Sequence, residues 1–200
     1  MHIGLMGRAR SGKDTAGAYL TEKHGYRRVS FADPLKEAAL KLDPIVVTDE
    51  GYWGVEGQRL AEVVDGHGWE AAKDRFPEVR RILQHMGQGV RDLDEGFWIR
   101  QAFRKVDDAE EIGLPCVITD VRYPNEVSSL RRRGFRLVFI DRPGVGPVNG
   151  HVSESAVGPD DADEVVVNDA DVSALTAKIE AVWRLSYDRN ARRHYARSYS

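Results

Sequence analysis

Cysteine is almost absent from this chain of 200 residues, which limits its covalent and metal chemistry. Because Cys116 is the one cysteine, no disulfide can form within the chain and a zinc site built from cysteines is excluded. An excess of one charge is also lacking, since 29 basic and 32 acidic residues leave a net charge of −3. A protein that coats duplex DNA by bulk attraction is more basic than this. We therefore expect no nucleic-acid partner.

Long hydrophobic runs are missing as well. Apolar runs such as Leu137 to Ile140 reach four residues, whereas a transmembrane helix needs about 20. The N-terminal residues carry no lysine, arginine or carboxylate until Arg8, and Arg10 and Lys13 follow. This order differs from the basic and then apolar order of a secretory signal. These features predict a cytoplasmic protein that has no membrane partner.

Lysine is scarce among the cations, with 7 lysines against 22 arginines. Arginine suits bidentate contacts with phosphate, although a GC-rich coding sequence produces the same bias without any functional meaning. What the chain does have is an ordinary globular composition, with 42% hydrophobic and 30% charged residues. A chain of this length suits one domain with a sizeable core.

Short apolar segments alternate with helical patterns along the chain. Strands are predicted at Ile3 to Met6, Tyr26 to Ala32, Cys116 to Thr119, Leu137 to Ile140 and Val165 to Val167. Helices are predicted at Lys13 to His24, Asp33 to Leu42, Gln58 to Val64, Trp69 to Arg75, from Pro77, at Phe97 to Val106, Pro124 to Arg133 and from Asp171. This alternation indicates the α/β class, with a parallel sheet and helices on both faces. Ligands of such sheets bind beyond the carboxyl ends of the strands.

The segment Gly7-Arg8-Ala9-Arg10-Ser11-Gly12-Lys13 matches the first seven positions of the P-loop pattern G-x-x-x-x-G-K-[ST]. It lies between a predicted strand and a predicted helix, so backbone N–H groups and the helix N-terminus would face a phosphate. Lys13 is the candidate catalytic cation. The candidate residues for binding ATP are Gly7, Arg10, Ser11, Gly12, Lys13, Asp14 and Thr15.

The eighth position of this pattern departs from the consensus. Asp14 stands where a serine or threonine usually helps to hold Mg²⁺. Two alternatives remain open at this point: Asp14 holds the ion through water, or Thr15 supplies the hydroxyl.

A second acidic candidate ends the strand that begins after Pro115. Asp120 is placed where a Walker B carboxylate reaches Mg²⁺. Arg122 follows two residues later and is placed to hold an acceptor phosphate or to stabilise charge on the transferred group. We therefore predict that Asp120 and Arg122 are catalytic. The alternative is that they pair with each other at the strand end.

Five segments occur in order along the chain: Gly12 to Thr15, Phe31 to Lys36, Arg80 to Gln84 with Gly87, Asp120 to Glu126, and His151 to Glu154. Together they resemble the bacteriophage deoxynucleoside monophosphate kinases. The stretch Leu60 to Lys73, which contains Gly68-Trp69-Glu70, is similar to the versions in phages of actinobacteria. The resemblance implies a P-loop NTPase fold of the adenylate-kinase type. It also implies ATP and Mg²⁺ as cofactors, transfer of the γ-phosphoryl group to a deoxynucleoside monophosphate, a homodimer, and the host cytoplasm for a phage-encoded protein.

The resemblance also implies how one P-loop kinase domain, residues 1–200, is divided. The expected core comprises 1–42, 97–140 and 164–187. An acceptor-binding helical insert covers about 43–96, a lid covers about 141–163, and a basic tail covers 188–200.

The candidate substrate-binding residues agree with this division and come from four parts of the chain. Lys36 opens a helix after the second strand, Arg80 and Gln84 share a helical face, and Arg91 follows two glycines. For Lys36, Gln84 and Arg91 the alternative is a solvated surface side chain. Arg122, His151 and Glu154 complete the candidate set. His151 and Glu154 would bind substrate, lock the lid or pair with each other.

Four further residues receive an interpretation. Arg142 follows a strand at the mouth of the lid and is the candidate lid arginine, whose closure would exclude water and compensate charge. Asn168 follows the last strand and is a candidate contact for the adenine of ATP. Trp69 is expected to be a core residue instead of a stacking platform for a base, and the same holds for Trp98.

Three other functions remain open from the sequence. Dephospho-coenzyme A kinase and phosphomevalonate kinase use similar loops on related folds. A nucleotide-binding ATPase that engages DNA through the basic tail is the alternative from a different class.

Overall fold

The computed structural model describes residues 1–51, 54–144 and 156–197. The chain divides into two compact units, the first comprising Met1–Phe31 and Ala102–Ser200 and the second comprising Ala32–Gln101. In chain order the described elements are β1 (Ile3–Met6), α1 (Lys13–His24), β2 (Arg27–Val29), α2 (Ala32–Leu42), β3 (Ile45–Gly51), β4 (Gly54–Arg59), α3 (Leu60–Arg75), α4 (Pro77–Leu93), α5 (Phe97–Glu111), β5 (Cys116–Val121), α6 (Pro124–Arg132), β6 (Arg136–Asp141), β7 (Glu164–Val167) and α7 (Val172–Arg197).

The first unit is built on a parallel sheet in the order β2-β5-β1-β6-β7. All four residues of the central strand β1 are buried, as are most of those in β5 and β6. Strands of this kind read as continuous apolar runs because side chains on both faces are covered. The α/β class predicted from the sequence is therefore confirmed.

The core of this unit joins the sheet to α1 and α7. Leu5, Leu20 and Ile140 are fully buried, and Leu175 and Ile179 of α7 pack into the same cluster. Helix α1 ends at Gly25, whose positive φ of 68° is the left-handed conformation of a helix C-cap. These contacts hold the segment between β1 and α1 at the carboxyl edge of the sheet.

The second unit contains the helices α2, α3 and α4, the first residues of α5, and a two-stranded antiparallel sheet formed by β3 and β4. Its core gathers Leu60 and Val63 from α3 with Val79 and Leu83 from α4, and Ala39 of α2 lies in the same cluster. Helix α2 thus belongs to the second unit, whereas the sequence interpretation placed residues 32–42 in the core.

Two local predictions were wrong. Gln58 and Arg59 belong to β4, so the helix predicted from Gln58 begins at Leu60 instead. The strands β3 and β4 include Gly51, Gly54 and Gly57. Because glycine is depleted in strands, the sequence signal for these two strands was weak. The other error concerns the strand predicted at Tyr26 to Ala32, which covers Arg27–Val29, while Ala32 opens α2.

The remaining local differences are small. Asp33, where the predicted helix begins, lies inside the first turn of α2 and so does not precede the helix as an N-cap. Asp171, in contrast, does cap α7, since its Oδ1 accepts hydrogen bonds from the Ala174 N–H at 2.9 Å and the Ser173 hydroxyl at 2.7 Å.

Across the described ranges, no helix is both long enough and apolar enough to span a bilayer.

Candidate phosphate-binding site

The loop from Gly7 to Gly12 connects β1 to α1 and has a backbone that only glycine accommodates at its two ends. Gly7 has φ 138° and Gly12 has φ 108°. A Cβ at Gly7 would overlap the carbonyl oxygen of Ile140, and one at Gly12 would lie 2.7 Å from Nδ2 of Asn168. The two glycines of the sequence pattern are therefore required by both backbone conformation and space.

Lys13 lies over this loop with only 7% of its surface exposed. Its Nζ donates hydrogen bonds to the carbonyl oxygens of Gly7 at 2.7 Å and Arg8 at 2.6 Å. The side chain of Ser11 is also buried, and its hydroxyl has no hydrogen-bond partner among the described residues. A cation and an unused hydroxyl therefore lie on the loop, and both are groups that bind phosphate oxygens.

Asn168 braces the loop from the end of β7. Its Nδ2 donates to the Ser11 carbonyl oxygen at 2.8 Å, and its backbone N–H donates to the Asp141 carbonyl oxygen at 2.6 Å. The side chain is buried. The sequence interpretation made Asn168 an adenine contact and did not foresee this bracing, which depends on β7 lying next to β6.

Asp14 is bound by a residue that the sequence analysis did not single out. Nη2 of Arg28 lies 2.8 Å from Asp14 Oδ1, and Arg28 Nε donates to Thr119 Oγ1 at 3.3 Å. Arg28 belongs to β2 and Thr119 to β5, which pair in the sheet. Only the strand order brings this arginine to the first turn of α1, so no local sequence signal could have identified it.

Asp120 lies at the end of β5 and is held by the end of β2. Its Oδ2 accepts a hydrogen bond from the Ser30 hydroxyl at 2.6 Å, and its Oδ1 accepts one from the Phe31 N–H at 2.9 Å. These contacts fix the direction of the carboxylate at the end of β5.

A buried carboxylate, to which the sequence analysis assigned no role, fixes the backbone of Arg122. Oε2 of Glu126 accepts the N–H of Arg122 at 2.7 Å and the N–H of Tyr123 at 3.1 Å. Glu126 is only 1% exposed, whereas the Arg122 side chain is exposed. The signal was present in the sequence, because Glu126 is the third residue of a helix that begins at Pro124, the position of a capping-box glutamate.

The other candidates in the first unit come from α1 and from the segment that follows β6. Arg142 is exposed, and its Nη1 lies 3.4 Å from the carbonyl oxygen of Arg10 in the loop. Thr15 is in the first turn of α1. His151 and Glu154 lie outside the described residues.

In the second unit, Lys36 and Arg80 both contact residues in the second half of α3, where Lys73 is a third cation that was not predicted. Lys73 Nζ lies 2.7 Å from Glu70 Oε1, and Arg80 Nη2 lies 3.0 Å from Asp74 Oδ1. Lys36 Nζ lies 5.6 Å from the ring centroid of Trp69.

The two remaining candidates of the second unit lie further along α4. Gln84 is exposed and Arg91 is half-buried. Trp98 is buried and donates from Nε1 to the Gly87 carbonyl oxygen at 3.1 Å, as expected of a core residue.

Comparison with known proteins identifies relatives for this arrangement. A sequence model of the family "Deoxynucleotide monophosphate kinase" matches residues 67–179. A protein of Acanthamoeba polyphaga mimivirus that is assigned this same activity is 33% identical over 171 residues, which cover 76% of this chain and 79% of that protein. The deoxynucleotide monophosphate kinase of Escherichia phage RB69 is 22% identical over 91% of this chain and 99% of its own.

Solved structures with some likeness include a dephospho-CoA kinase from Campylobacter jejuni, with a TM-score of 0.49 and 10% identity over 94% of this chain and 98% of that one. The family match covers more than half of the chain, and the mimivirus relative passes 30% identity over three quarters of it. This chain belongs to the deoxynucleotide monophosphate kinase family.

Proposed function

We propose that this protein transfers the γ-phosphoryl group of ATP to a deoxynucleoside monophosphate, giving ADP and the deoxynucleoside diphosphate. The observation that carries the proposal is the loop from Gly7 to Lys13, with its two required glycines and its buried lysine, in a chain of this family. Such a loop binds the outer phosphates of a nucleoside triphosphate through backbone N–H groups and the lysine ammonium.

Catalysis in this proposal consists of positioning and charge stabilisation. The acceptor is already an anionic phosphate, so the reaction needs no general base to generate its nucleophile. Lys13 binds the outer phosphates of ATP, and the exposed guanidinium groups of Arg122 and Arg142 stabilise the charge that spreads over the transferred group. Glu126 acts through Arg122 by holding its backbone at the strand end.

The residues that would hold Mg²⁺ are Asp14, Thr15 and Asp120, all of which offer oxygen atoms. Mg²⁺ prefers oxygen ligands, and in kinase sites it takes one or two from the protein and the rest from phosphates and water. Among the described residues, no group of three or more histidine, cysteine or carboxylate side chains is placed to hold a metal ion. Bound Mg²⁺ would neutralise charge on the β- and γ-phosphates.

The proposed acceptor site draws on the second unit. Lys36 and Arg80 supply positive charge for the monophosphate, Gln84 offers an amide for the base, and Arg91 adds a second cation on α4. His151 and Glu154 stay candidate substrate contacts, and Asn168 a candidate adenine contact in addition to its bracing role. A homodimer in the host cytoplasm completes the proposal, and sedimentation velocity measures the subunit number.

A coupled assay of ADP release tests the proposed reaction. The enzyme is supplied with ATP and Mg²⁺, and with dAMP, dCMP, dGMP or dTMP in separate reactions. We expect at least one of them to increase ADP release well above the rate with ATP alone. Dephospho-coenzyme A, phosphomevalonate and single-stranded DNA are included as competing activators. Stimulation by one of these three with no response to any monophosphate would overturn the proposal.

A further inference from the structure

The proposed function gives no role to the segment Gly68-Trp69-Glu70, which lies in α3. Gly68 interrupts α3 with φ 72° and ψ 161°, a backbone region that is almost restricted to glycine. The helix resumes at once, so Trp69, Glu70 and Lys73 occupy the first turns after the break. The break at Gly68 sets the direction of the second half of α3, which carries Glu70 and Lys73.

Three cations from three different helices act on Glu70. Lys73 of α3 forms an ion pair with it at 2.7 Å. Lys36 of α2 lies 5.6 Å from the ring of the adjacent Trp69, and Arg80 of α4 pairs at 3.0 Å with Asp74, four residues after Glu70, so both cations lie close enough to act on Glu70 electrostatically. Neighbouring protein atoms displace part of the water around this exposed carboxyl and so oppose its charged form, but the hydrogen bond from Lys73 and the charges of Lys73, Lys36 and Arg80 hold its pKa below the ordinary value. We call Lys36, Lys73, Arg80 and Glu70 the Glu70 cluster.

The cluster is arranged so that an anion can replace the carboxylate. Glu70 is 79% exposed, whereas Lys73 is only 22% exposed, so the acceptor is in solvent while the donor is held against the protein. Exposed ion pairs between neighbouring helix residues contribute little stability, so Glu70 can leave at small cost. A phosphate monoester brings two charges and three acceptor oxygens, and therefore satisfies several donors at once.

We propose that Lys73 is a further binding residue for the acceptor phosphate, together with Lys36 and Arg80, and that Glu70 competes with the phosphate for these cations. This inference rests on the proposed function and deepens it. Asp74 lies outside the cluster and pairs with Arg80. When it is counted, three cations face two carboxylates, so the charge around this site stays positive. The Trp69 ring, 5.6 Å from Lys36 Nζ, limits where that ammonium can lie.

Two variants with opposite expected effects test the proposal. Lys73→Gln removes one charge-assisted hydrogen bond to the phosphate, and we expect the KM for the monophosphate to rise about tenfold with little change in kcat. Glu70→Gln removes the competitor, and we expect that KM to fall several-fold. Glu78→Gln is the matched control, because Glu78 also pairs with a cation three residues on, Arg81, and is in the same unit outside the cluster. We expect it to leave the KM unchanged.

A second measurement keeps the test separate from turnover. Calorimetric titration of each variant with the four monophosphates in the absence of ATP should show the same order of affinity, tightest in Glu70→Gln and weakest in Lys73→Gln. Lys73→Arg should restore binding if the charge matters, and circular dichroism checks that each variant is folded. Equal affinities in wild type and both variants, or weaker binding in Glu70→Gln, would overturn the inference while leaving a monophosphate-dependent wild-type activity intact. A wild type that responds to no monophosphate but shows the expected order of binding would overturn the proposed reaction instead.

Discussion

The most informative single residue is Lys13, because its contacts define what the loop can bind. Its ammonium is buried against the carbonyl oxygens of Gly7 and Arg8, within the loop that would surround the phosphates. We expect Lys13→Ala to keep the fold and to lower turnover about 100-fold or more, the usual cost of removing one preorganised charge contact from a transition state. Steady-state ADP release measures this. Lys23→Ala, an exposed lysine on the same helix, is the control, and near wild-type turnover in Lys13→Ala would contradict the assigned site.

Glu126 provides a second prediction at the residue scale. Removing its buried carboxylate by Glu126→Ala leaves the N–H groups of Arg122 and Tyr123 without their acceptor. The expected loss of stability is about 1–3 kcal/mol, measured by urea unfolding. Because Arg122 would lose its fixed position, kcat/KM should fall more than the loss of stability explains. Glu111→Ala, an exposed glutamate, should change neither quantity, and an unchanged kcat/KM in the folded Glu126→Ala protein would refute the positioning role.

At the scale of elements, α1 is fastened to α7 by one carboxylate. Glu180 Oε2 lies 2.6 Å from His24 Nε2 and accepts a hydrogen bond from the Tyr19 hydroxyl at 2.9 Å. Glu180 Oε1 accepts a hydrogen bond from Arg184 Nε at 2.8 Å. These hydrogen bonds, with that of His24 the largest contribution, lower the pKa of Glu180 to about 2 from the ordinary 4.5. Trp183 stacks on His24 with ring centroids 3.8 Å apart, so the helices meet through both charge and ring contacts.

The pH dependence of stability follows from this contact. A carboxyl whose folded pKa is depressed contributes stability above its unfolded pKa, and that contribution is lost as the pH falls toward the folded pKa. The wild type should therefore lose this contribution between about pH 5 and pH 2. We expect the melting temperature of Glu180→Gln to be lower at pH 7 and to fall less steeply over that acid range. Parallel pH profiles for the two proteins would contradict the assignment, and Glu22→Gln, an exposed residue of α1, serves as the control.

For the molecule as a whole, the single cysteine reports on global unfolding. Cys116 begins the buried strand β5, and burial raises the pKa of its thiol to about 11. The reactive thiolate is thus scarce at neutral pH, and the sulfur is shielded by the packing of the sheet. We expect a thiol reagent such as DTNB to label the native protein at least about 100-fold more slowly than the urea-unfolded protein. Rapid labelling under native conditions would show that β5 opens locally, and a Cys116→Ser protein gives the background rate.

Local patterns account for what could be predicted at the scale of the whole chain. The run from Ile3 to Met6 followed by the glycine-lysine loop specifies a strand, a turn and a helix through periodicity, positive φ and helix capping, which depend on neighbouring residues only. The same holds for α6, where Pro124 and Glu126 mark the helix start. The hairpin of β3 and β4 escaped prediction because glycines weaken a strand signal and the pairing is decided by packing against α3 and α4.

The sequence by itself determined the α/β class, the phosphate loop and the order of the family's motifs. Tertiary structure alone decided which distant residues meet at that loop. Arg28 reaches Asp14 because β2 lies beside β5, and Asn168 reaches Ser11 across 157 positions of sequence because β7 lies beside β6. In the second unit, Lys36, Lys73 and Arg80 come together only because three helices share one apolar core. Strand order and helix packing depend on the burial of the whole chain, so no local pattern encodes these contacts.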